Sequence, residues 1–210
     1  MDEPSSEPLT TWRSIRVNGV RIVIGVVLVA VVSVAVFVWM PYQREQRIAR
    51  EIESHGGQVS SKYAGPDWMP RLIRKLPSYL DRIQSVDLSN TQVTDSGLEH
   101  LKTLNNLKVL GLNDTPVTDA GLEYLKGLTN LANLGLVYTQ VTDAGLENLK
   151  GMTSVEVLMF DHTAITDSGL ETLKSLTSLR VLHLDDTKTT PTGREKLRMA
   201  LPSCKITPDP

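Results

Sequence analysis

The sequence of 210 residues contains a single cysteine, few aromatic residues and no excess of either charge. Because Cys204 has no second cysteine to pair with, a small scaffold held together by internal disulfides is excluded. Lysine and arginine number 22 and the acidic residues 24, which gives a formal net charge of −2. That balance excludes a strongly basic nucleic-acid-binding protein and an acidic disordered tail.

Motifs of the common enzyme classes are missing as well. The sequence contains no GxSxG, no HExxH, no phosphate-binding P-loop and no GxGxxG. We therefore predict a protein that is not an enzyme and that uses no cofactor and no metal. Residues 83–202 hold 10 basic and 15 acidic residues, so their net charge of −5 would repel a phosphate backbone and predicts no nucleic-acid partner.

The sequence does contain one long apolar run, from Ile22 to Met40, which reads IVIGVVLVAVVSVAVFVWM. A helix of these 19 residues would be about 28 Å long, close to the hydrocarbon thickness of a bilayer. Trp39 and Tyr42 stand at one end, where aromatic rings favour the membrane interface. The run predicts a transmembrane helix over residues 21–41 in contact with lipid. A signal peptide is the alternative, but the run is long for one and no small-residue cleavage site follows it.

The flanks of this run carry three arginines on each side, so the positive-inside count leaves the orientation tied. We expect a single-pass membrane protein whose larger C-terminal part lies outside the cytoplasm. Residues 1–20 are predicted to be a disordered tail, residues 42–82 a juxtamembrane linker with an N-terminal cap, and residues 207–210 a short tail. The run has no GxxxG, so the sequence does not indicate an oligomeric state.

From Ile83 onward the sequence repeats every 24 residues, without insertions, in the pattern LxxLxLxxTxVTDxGLExLKxLxx. We number the repeats 1 to 5: residues 83–106, 107–130, 131–154, 155–178 and 179–202. The LxxLxL part predicts a short strand, and leucines three apart, such as Leu98 and Leu101, predict one face of a short helix. One repeat cannot bury its apolar face alone, so stacking predicts a continuous core.

Polar positions of the repeat have separate expectations. Asp95 and its equivalents Asp119, Asp143 and Asp167 suit a helix N-cap. A threonine column is expected to hydrogen-bond backbone groups of neighbouring coils, and it comprises Thr91, Thr115, Thr139, Thr163 and Thr187. Two polar residues replace apolar ones in repeat 5, Thr189 and Arg194, and we expect both to be uncovered at the C-terminal cap. Ile206 falls where a sixth strand would place its leucine, which predicts a partial strand there.

The pattern resembles that of the leucine-rich repeat family over residues 83–206. Its TDxGLxxL portion is similar to the cysteine-containing subclass found in F-box-associated adaptors, and more so to bacterial leucine-rich repeat proteins with the same threonine form. The preceding segment IAREIESHGGQVSSKY resembles the stretch before the repeats in membrane-anchored bacterial members, and no F-box is visible. The resemblance implies an α/β solenoid with parallel strands on a concave face and short helices outside. It implies binding only as a habit of the family.

The concave face is formed by the variable positions in and after each strand, where equivalent residues of adjacent repeats lie about 4.8 Å apart. Asp161, His183 and Asp185 form the sharpest local cluster. A hard cation such as Ca²⁺ would accept the carboxylates, but it takes six or more ligands and rarely histidine, so we interpret the cluster as a polar edge. The candidate binding residues are Asp87, Asn113, Asp114, Asn133, Val137, Tyr138, Met159, Asp161, His183 and Asp185.

These observations favour a membrane-anchored module that recognises an unidentified protein partner through the concave face. Tyr138 is the one aromatic candidate for sugar stacking there, so a carbohydrate or cell-wall ligand is the second hypothesis. An enzyme with an unrecognised acidic site at Asp161 and Asp185 is the third.

Overall fold

The computed structural model describes residues 40–63 and 81–208. The chain divides into two compact units, Met1–Gln43 and Arg44–Pro210. Of the first unit, the structure describes only the residues that begin helix α1, which spans Met40–Ser54. Residues 64–80 of the predicted linker and cap lie outside the described residues. All further elements belong to the second unit.

A short cap precedes the repeats. Helix α1 ends before Gly56, whose φ of 85° makes the turn into strand β1, Gln58–Tyr63. Strand β1 pairs antiparallel with β2, Asp81–Asp87, so that the cap continues the sheet of the repeats. Ile48 and Ile52 of α1 are buried in the common core. The Ile83 backbone N–H donates to Oε2 of Glu45 (3.3 Å), which joins α1 to the first repeat.

Each repeat contributes one strand and one short helical segment. Repeat 1 contributes β2, and repeats 2 to 5 contribute β3 (Val109–Gly111), β4 (Asn133–Gly135), β5 (Val157–Met159) and β6 (Val181–His183). Strand β7 (Lys205–Thr207) follows repeat 5. The helices are α2 (Asp95–Leu98), α3 (Asp119–Leu122), α4 (Asp143–Leu146), α5 (Asp167–Leu173) and α6 (Pro191–Ala200). Helices α2, α3 and α4 continue as 3₁₀ turns over Glu99–Thr103, Glu123–Leu125 and Glu147–Leu149.

The seven strands form one sheet in the order β1 to β7, and β2 to β7 are parallel. Their register keeps the 24-residue period, since Val86 pairs with Leu110, Leu110 with Leu134, and so on to Ile206. These residues are at most 1% exposed, so each strand turns its central side chain into a core shared by all repeats. The predicted solenoid of parallel strands and short helices is confirmed, and so is the sixth strand around Ile206.

The helix N-caps differ from the prediction. The cap residues are threonines: Thr94, Thr118, Thr142 and Thr166, each one position before the aspartate, and Thr190, which precedes Pro191. Thr118 has extended backbone, and its hydroxyl oxygen accepts from the N–H of Ala120. The aspartate is the first helical residue, where its charge favours the positive end of the peptide dipoles. Asp95 and its three equivalents are therefore not the caps.

Because the aspartate is not the cap, its carboxylate can accept hydrogen bonds from the next repeat. Asp119 accepts two hydrogen bonds from Thr142, one from the backbone N–H (2.7 Å) and one from the hydroxyl (2.6 Å). The same pair of bonds joins Asp95 to Thr118, Asp143 to Thr166 and Asp167 to Thr190. The backbone and hydroxyl bonds from Thr190 lower the pKa of Asp167, because they stabilise its ionised form. We call this column the Asp–Thr ladder.

The ladder explains a glycine that recurs in every repeat. A Cβ atom on Gly145 would fall well inside van der Waals contact of Oδ1 of Asp119, the carboxylate of the preceding repeat. Gly121, Gly169 and Gly193 meet the preceding aspartate in the same way. In repeats 2 to 5 the close approach of the ladder therefore requires glycine. Backbone conformation is not the reason, since none of the four glycines has a positive φ.

The threonine column is hydrogen-bonded within its own coil, and its members are buried except for Thr187, which is half-buried. Oγ1 of Thr139 donates to the carbonyl of Leu136, three residues earlier, at 2.7 Å. The other four threonines make the same bond at 2.6–2.8 Å. The expected structural role is thus present, whereas the expected bonds between neighbouring coils are replaced by this local turn.

The two polar substitutions of repeat 5 are covered, contrary to the prediction. Thr189 is 9% exposed and Arg194 is 8% exposed. Nη1 of Arg194 donates to the carbonyl and the hydroxyl of Thr189 (3.0 and 3.1 Å). The arginine therefore closes the end of the core with its aliphatic stem, and its charge is partly satisfied by backbone.

One prediction concerning the membrane is corrected. Within residues 40–63 and 81–208 there is no helix of the length and apolarity that crossing a bilayer requires. The predicted transmembrane helix over 21–41 lies outside the described residues, apart from the first two residues of α1. On this finding the predicted localisation, a single-pass membrane protein with its repeats outside the cytoplasm, is wrong, and contact with a bilayer is not retained.

Candidate interaction surface

The candidate residues lie on the concave face, the sheet face turned away from the helices, and on the turns that follow the strands. Outward-facing strand residues form two rows. The first row runs from Ser85 to Val181, and the second row comprises the last residues of β2 to β6: Asp87, Gly111, Gly135, Met159 and His183. Two residues later comes the third row, Ser89, Asn113, Val137, Asp161 and Asp185. The next residue of each repeat forms what we call the turn row, Asn90, Asp114, Tyr138, His162 and Asp186.

All five residues of the turn row have a positive φ, between 53° and 59°. Asparagine and aspartate tolerate this left-handed conformation, whereas tyrosine and histidine adopt it less readily. The same turn in each repeat projects equivalent side chains outward from adjacent strands. Each residue of the row is exposed, and Tyr138 is 58% exposed.

Two members of the turn row stack on one another. The rings of Tyr138 and His162 lie with their centroids 4.0 Å apart and their planes 6° from parallel. Nδ1 of His162 lies 3.3 Å from Oδ2 of Asp186, the next residue of the row. The stack holds an exposed aromatic ring in a fixed orientation. His162 and Asp186 are not among the residues predicted from the sequence, although the 24-residue period places them in the same row as Tyr138.

The third row links repeats. Oδ1 of Asn113 accepts from the Val137 N–H (3.0 Å), and Oδ1 of Asp161 accepts from the Asp185 N–H (2.8 Å). Val137 has no polar side chain, so this kind of link is absent between repeats 3 and 4 within the described chain. Asn113 and Asp161 consequently have a structural role, in addition to any contact with a partner.

Asp161, His183 and Asp185 come together as the sequence predicts, with one ligand-type atom of each within 4.8 Å of the others. Their atoms already have partners, because Asp161 accepts from the Asp185 N–H and Nδ1 of His183 lies 3.2 Å from Oγ1 of Thr207. Three side chains supply fewer ligands than Ca²⁺ requires. We interpret the cluster as a polar edge of the concave face.

The remaining candidates are spread along the sheet. Asp87 belongs to repeat 1 and lies three strands, or about 14 Å, from repeat 4, too far for a direct contact. Its carboxylate and the side chain of Asn113 occupy the space that side chains on Gly111 and Gly135 would fill. Asn133 is half-buried in β4. We therefore restrict the candidate site to what we call the concave patch: Asp114, Val137, Tyr138, Met159, Asp161, His162, His183, Asp185 and Asp186.

Comparisons with known proteins agree with this architecture. A family profile described as "Leucine Rich repeat" matches residues 83–102. The fold is similar to that of an internalin, InlF, from Listeria monocytogenes, with a TM-score of 0.50 and 22% identity over 59% of this chain and 34% of the internalin. It is also similar to the leucine-rich repeat ectodomain of the receptor kinase SOBIR1 from Arabidopsis thaliana, with a TM-score of 0.51 and 13% identity over 78% of this chain and 90% of that one. The comparison with curated proteins found no match.

The repeats have the leucine-rich repeat fold. The matched profile falls on repeat 1, and the two structural likenesses concern the fold alone. This chain spans about a third of the internalin's length.

The charge of the leucine-rich repeat array is one-sided on the concave face. Among the described residues, the second, third and turn rows together contain no lysine and no arginine. They contain five aspartates: Asp87, Asp114, Asp161, Asp185 and Asp186. On the outer face, by contrast, acidic and basic side chains alternate as exposed pairs, such as Glu99 with Lys102 (2.7 Å) and Glu123 with Lys126 (3.7 Å). These three rows are therefore acidic, and the exposed Lys205 of β7, in register with Val181, is a basic residue at the C-terminal edge of the same sheet.

A second concavity lies at the N-terminal end of the array, between α1 and repeat 1. It has a volume of about 450 Å³ and is lined by apolar side chains that include Ile48, Ile52 and Val93. Val93 is only partly buried, whereas its equivalent Val117 is fully buried, because no complete repeat precedes repeat 1. Nε2 of His100 lies 3.2 Å from Oε1 of Glu51 across its rim. The 24-residue repeat pattern does not predict this cleft.

Proposed function

We propose that this leucine-rich repeat array is a protein-recognition module and that the concave patch is its contact surface. The observation that carries the proposal is Tyr138, a ring 58% exposed and stacked on His162. Aromatic side chains are enriched where proteins bind one another, because they contribute a large contact area and lose little conformational freedom. Stacked solenoid repeats present extended concave surfaces that suit this role.

Rigidity of the surroundings supports the same interpretation. The strands beneath the patch are joined by a buried core and by links between repeats, such as that from Asp161 to Asp185. A side chain held in place before binding loses less entropy when a partner covers it. Met159, half-buried on β5, adds an adaptable apolar contact within the patch.

The other two hypotheses have less support. On the concave rows of the described residues, Tyr138 is the single tyrosine or tryptophan, and the other rings there belong to His162 and His183. A sugar would therefore have one exposed tyrosine face to stack on, without a second such ring beside it. For an acidic enzyme site, one oxygen of Asp161 is engaged by the Asp185 N–H. We therefore retain protein recognition.

The proposal is tested by quantitative affinity capture from the source cells. Tyr138→Asn is the variant of choice, because Asn90 occupies the same left-handed position in repeat 1. We expect a captured partner to be reduced about tenfold or more, the effect of losing a central aromatic contact. Glu123→Gln on the outer face is the control and should leave capture unchanged. Equal recovery with wild type and Tyr138→Asn would contradict the proposal.

A further inference from the structure

Tyr138 has one ring face that its neighbours leave open. His162, from repeat 4, covers the face turned toward the C-terminal end of the array. The opposite face is turned toward repeat 2, where the turn row continues with Asp114. The Asp114 N–H donates to the carbonyl of Val137 (2.8 Å), so the backbones at these two positions are direct neighbours. Asp114 is exposed and precedes Tyr138 by one repeat in the turn row, on the side of Tyr138 away from His162.

The chemistry of this pair is selective. An aromatic face attracts a cation, and a carboxylate pairs with one. A guanidinium group satisfies both, because it is planar, stacks on a ring and can present two N–H groups to a carboxylate at the same time. An ammonium group is compact and strongly hydrated, so it uses the ring less well. The aspartates of the concave face, with no lysine or arginine in the described part of these rows, favour an approaching cation.

We propose that an arginine side chain, carried on a cationic segment of the partner protein, lies against the open face of Tyr138 and pairs with Asp114. This inference rests on the proposed function, because it names the chemistry of the partner for the same surface. The guanidinium extends the stack to three planar groups, with His162 supporting the far side of Tyr138 and Asp186 holding His162. Recognition is thereby centred on the junction of repeats 2, 3 and 4.

The test uses the full chain and a fluorescently labelled synthetic peptide, glycine alternating with three arginines. Matched peptides carry lysine or glutamine in place of arginine, and binding is followed by fluorescence anisotropy at about 50 mM salt. We expect the arginine peptide to bind about threefold or more tightly than the lysine peptide, the scale of an exposed cation–π contact. The glutamine peptide should not bind.

Variants of the turn row separate the specific site from general acidity. Asp114→Asn and Tyr138→Asn each reproduce the residue of repeat 1, Asn90, and therefore keep the turn. Each should weaken the arginine peptide about threefold or more and remove its advantage over lysine. Asp87→Asn is the matched control: it removes the same charge from the concave face, outside the concave patch, and an asparagine oxygen can keep the bond from the Ser89 N–H. It should change the affinity less than twofold.

The outcomes are distinct. Equal loss with Asp114→Asn and Asp87→Asn, or equal affinity for the arginine and lysine peptides, would show attraction by charge alone and overturn the inference. Absence of any peptide binding would also overturn it. None of these outcomes decides the proposed function. That is tested separately, by whether wild type captures a partner and Tyr138→Asn captures less of it.

Discussion

Replacing Gly145 by alanine tests the Asp–Thr ladder most sharply, because packing and helix propensity predict opposite signs. Gly145 lies in the first turn of α4, where alanine ordinarily stabilises a helix by about 1 kcal/mol relative to glycine. Here the new Cβ would overlap the carboxylate of Asp119 and approach Cδ1 of Leu122 to 3.0 Å. The carboxylate must move, and with it the two hydrogen bonds from Thr142.

The expected magnitude follows from those bonds. Hydrogen bonds to charged groups contribute about 1.5–3 kcal/mol each, and the half-buried position of Asp119 places this pair near a combined 2–3 kcal/mol. Subtracting the propensity gain of about 1 kcal/mol leaves Gly145→Ala destabilised by about 1–2 kcal/mol. Denaturant unfolding of the full chain, followed by far-ultraviolet circular dichroism, measures the change.

Two further variants identify the cause. Gly151→Ala, where a new Cβ meets nothing within 4 Å, should change stability by no more than about 0.5 kcal/mol. In an Asp119→Ala background, where the obstructing carboxylate is gone, Gly145→Ala should be neutral or stabilising. The reasoning is refuted if Gly145→Ala costs no more than Gly151→Ala, or if it is equally harmful with and without Asp119.

Three more predictions concern single groups. Burial raises the pKa of Cys204 to about 11, so iodoacetamide at pH 8 should label the folded chain far more slowly than the unfolded one; equal rates would contradict the burial. The Asp–Thr ladder lowers the pKa of Asp167, so its ionised form stabilises the fold above about pH 4 and this stabilisation is lost as the pH falls through the lowered folded-state pKa. Asp167→Asn should therefore lose more stability at pH 7 than at pH 3, and the reverse order in unfolding curves would refute the sign. Thr139→Val removes the donor to the Leu136 carbonyl and should cost about 1 kcal/mol in denaturant unfolding, whereas Thr129→Val at an exposed position should cost almost nothing; equal effects would count against the buried bond.

The fold was predictable because its information is periodic. A leucine every 24 residues fixed which side chain of each strand enters the core, and even the sixth strand at Ile206 followed from that spacing. The N-cap was less accessible, because threonine and aspartate both suit the position and stand side by side in every repeat. Only the three-dimensional register shows that Asp119 reaches across to Thr142.

The candidate site was predictable in part. Equivalent positions are neighbours, so the cluster of Asp161, His183 and Asp185 could be derived from the period alone. The stack of Tyr138 on His162 depends on the left-handed backbone after each strand, which neither residue type favours by itself. The prediction for Arg194 was wrong for another reason. Its charge suggested an exposed side chain, whereas its long aliphatic stem allows the residue to be buried.

Site-specific photo-crosslinking tests the proposed contact surface most directly. Benzoylphenylalanine is placed at position 138, on the concave patch, and in a second protein at position 123, on the outer face, each within the full chain in its source cells. The account predicts a crosslinked partner protein from position 138 and none from position 123, with the crosslink on the partner mapping to an arginine-containing segment. A partner captured from position 123 and not from position 138 would place recognition on the outer face and contradict it.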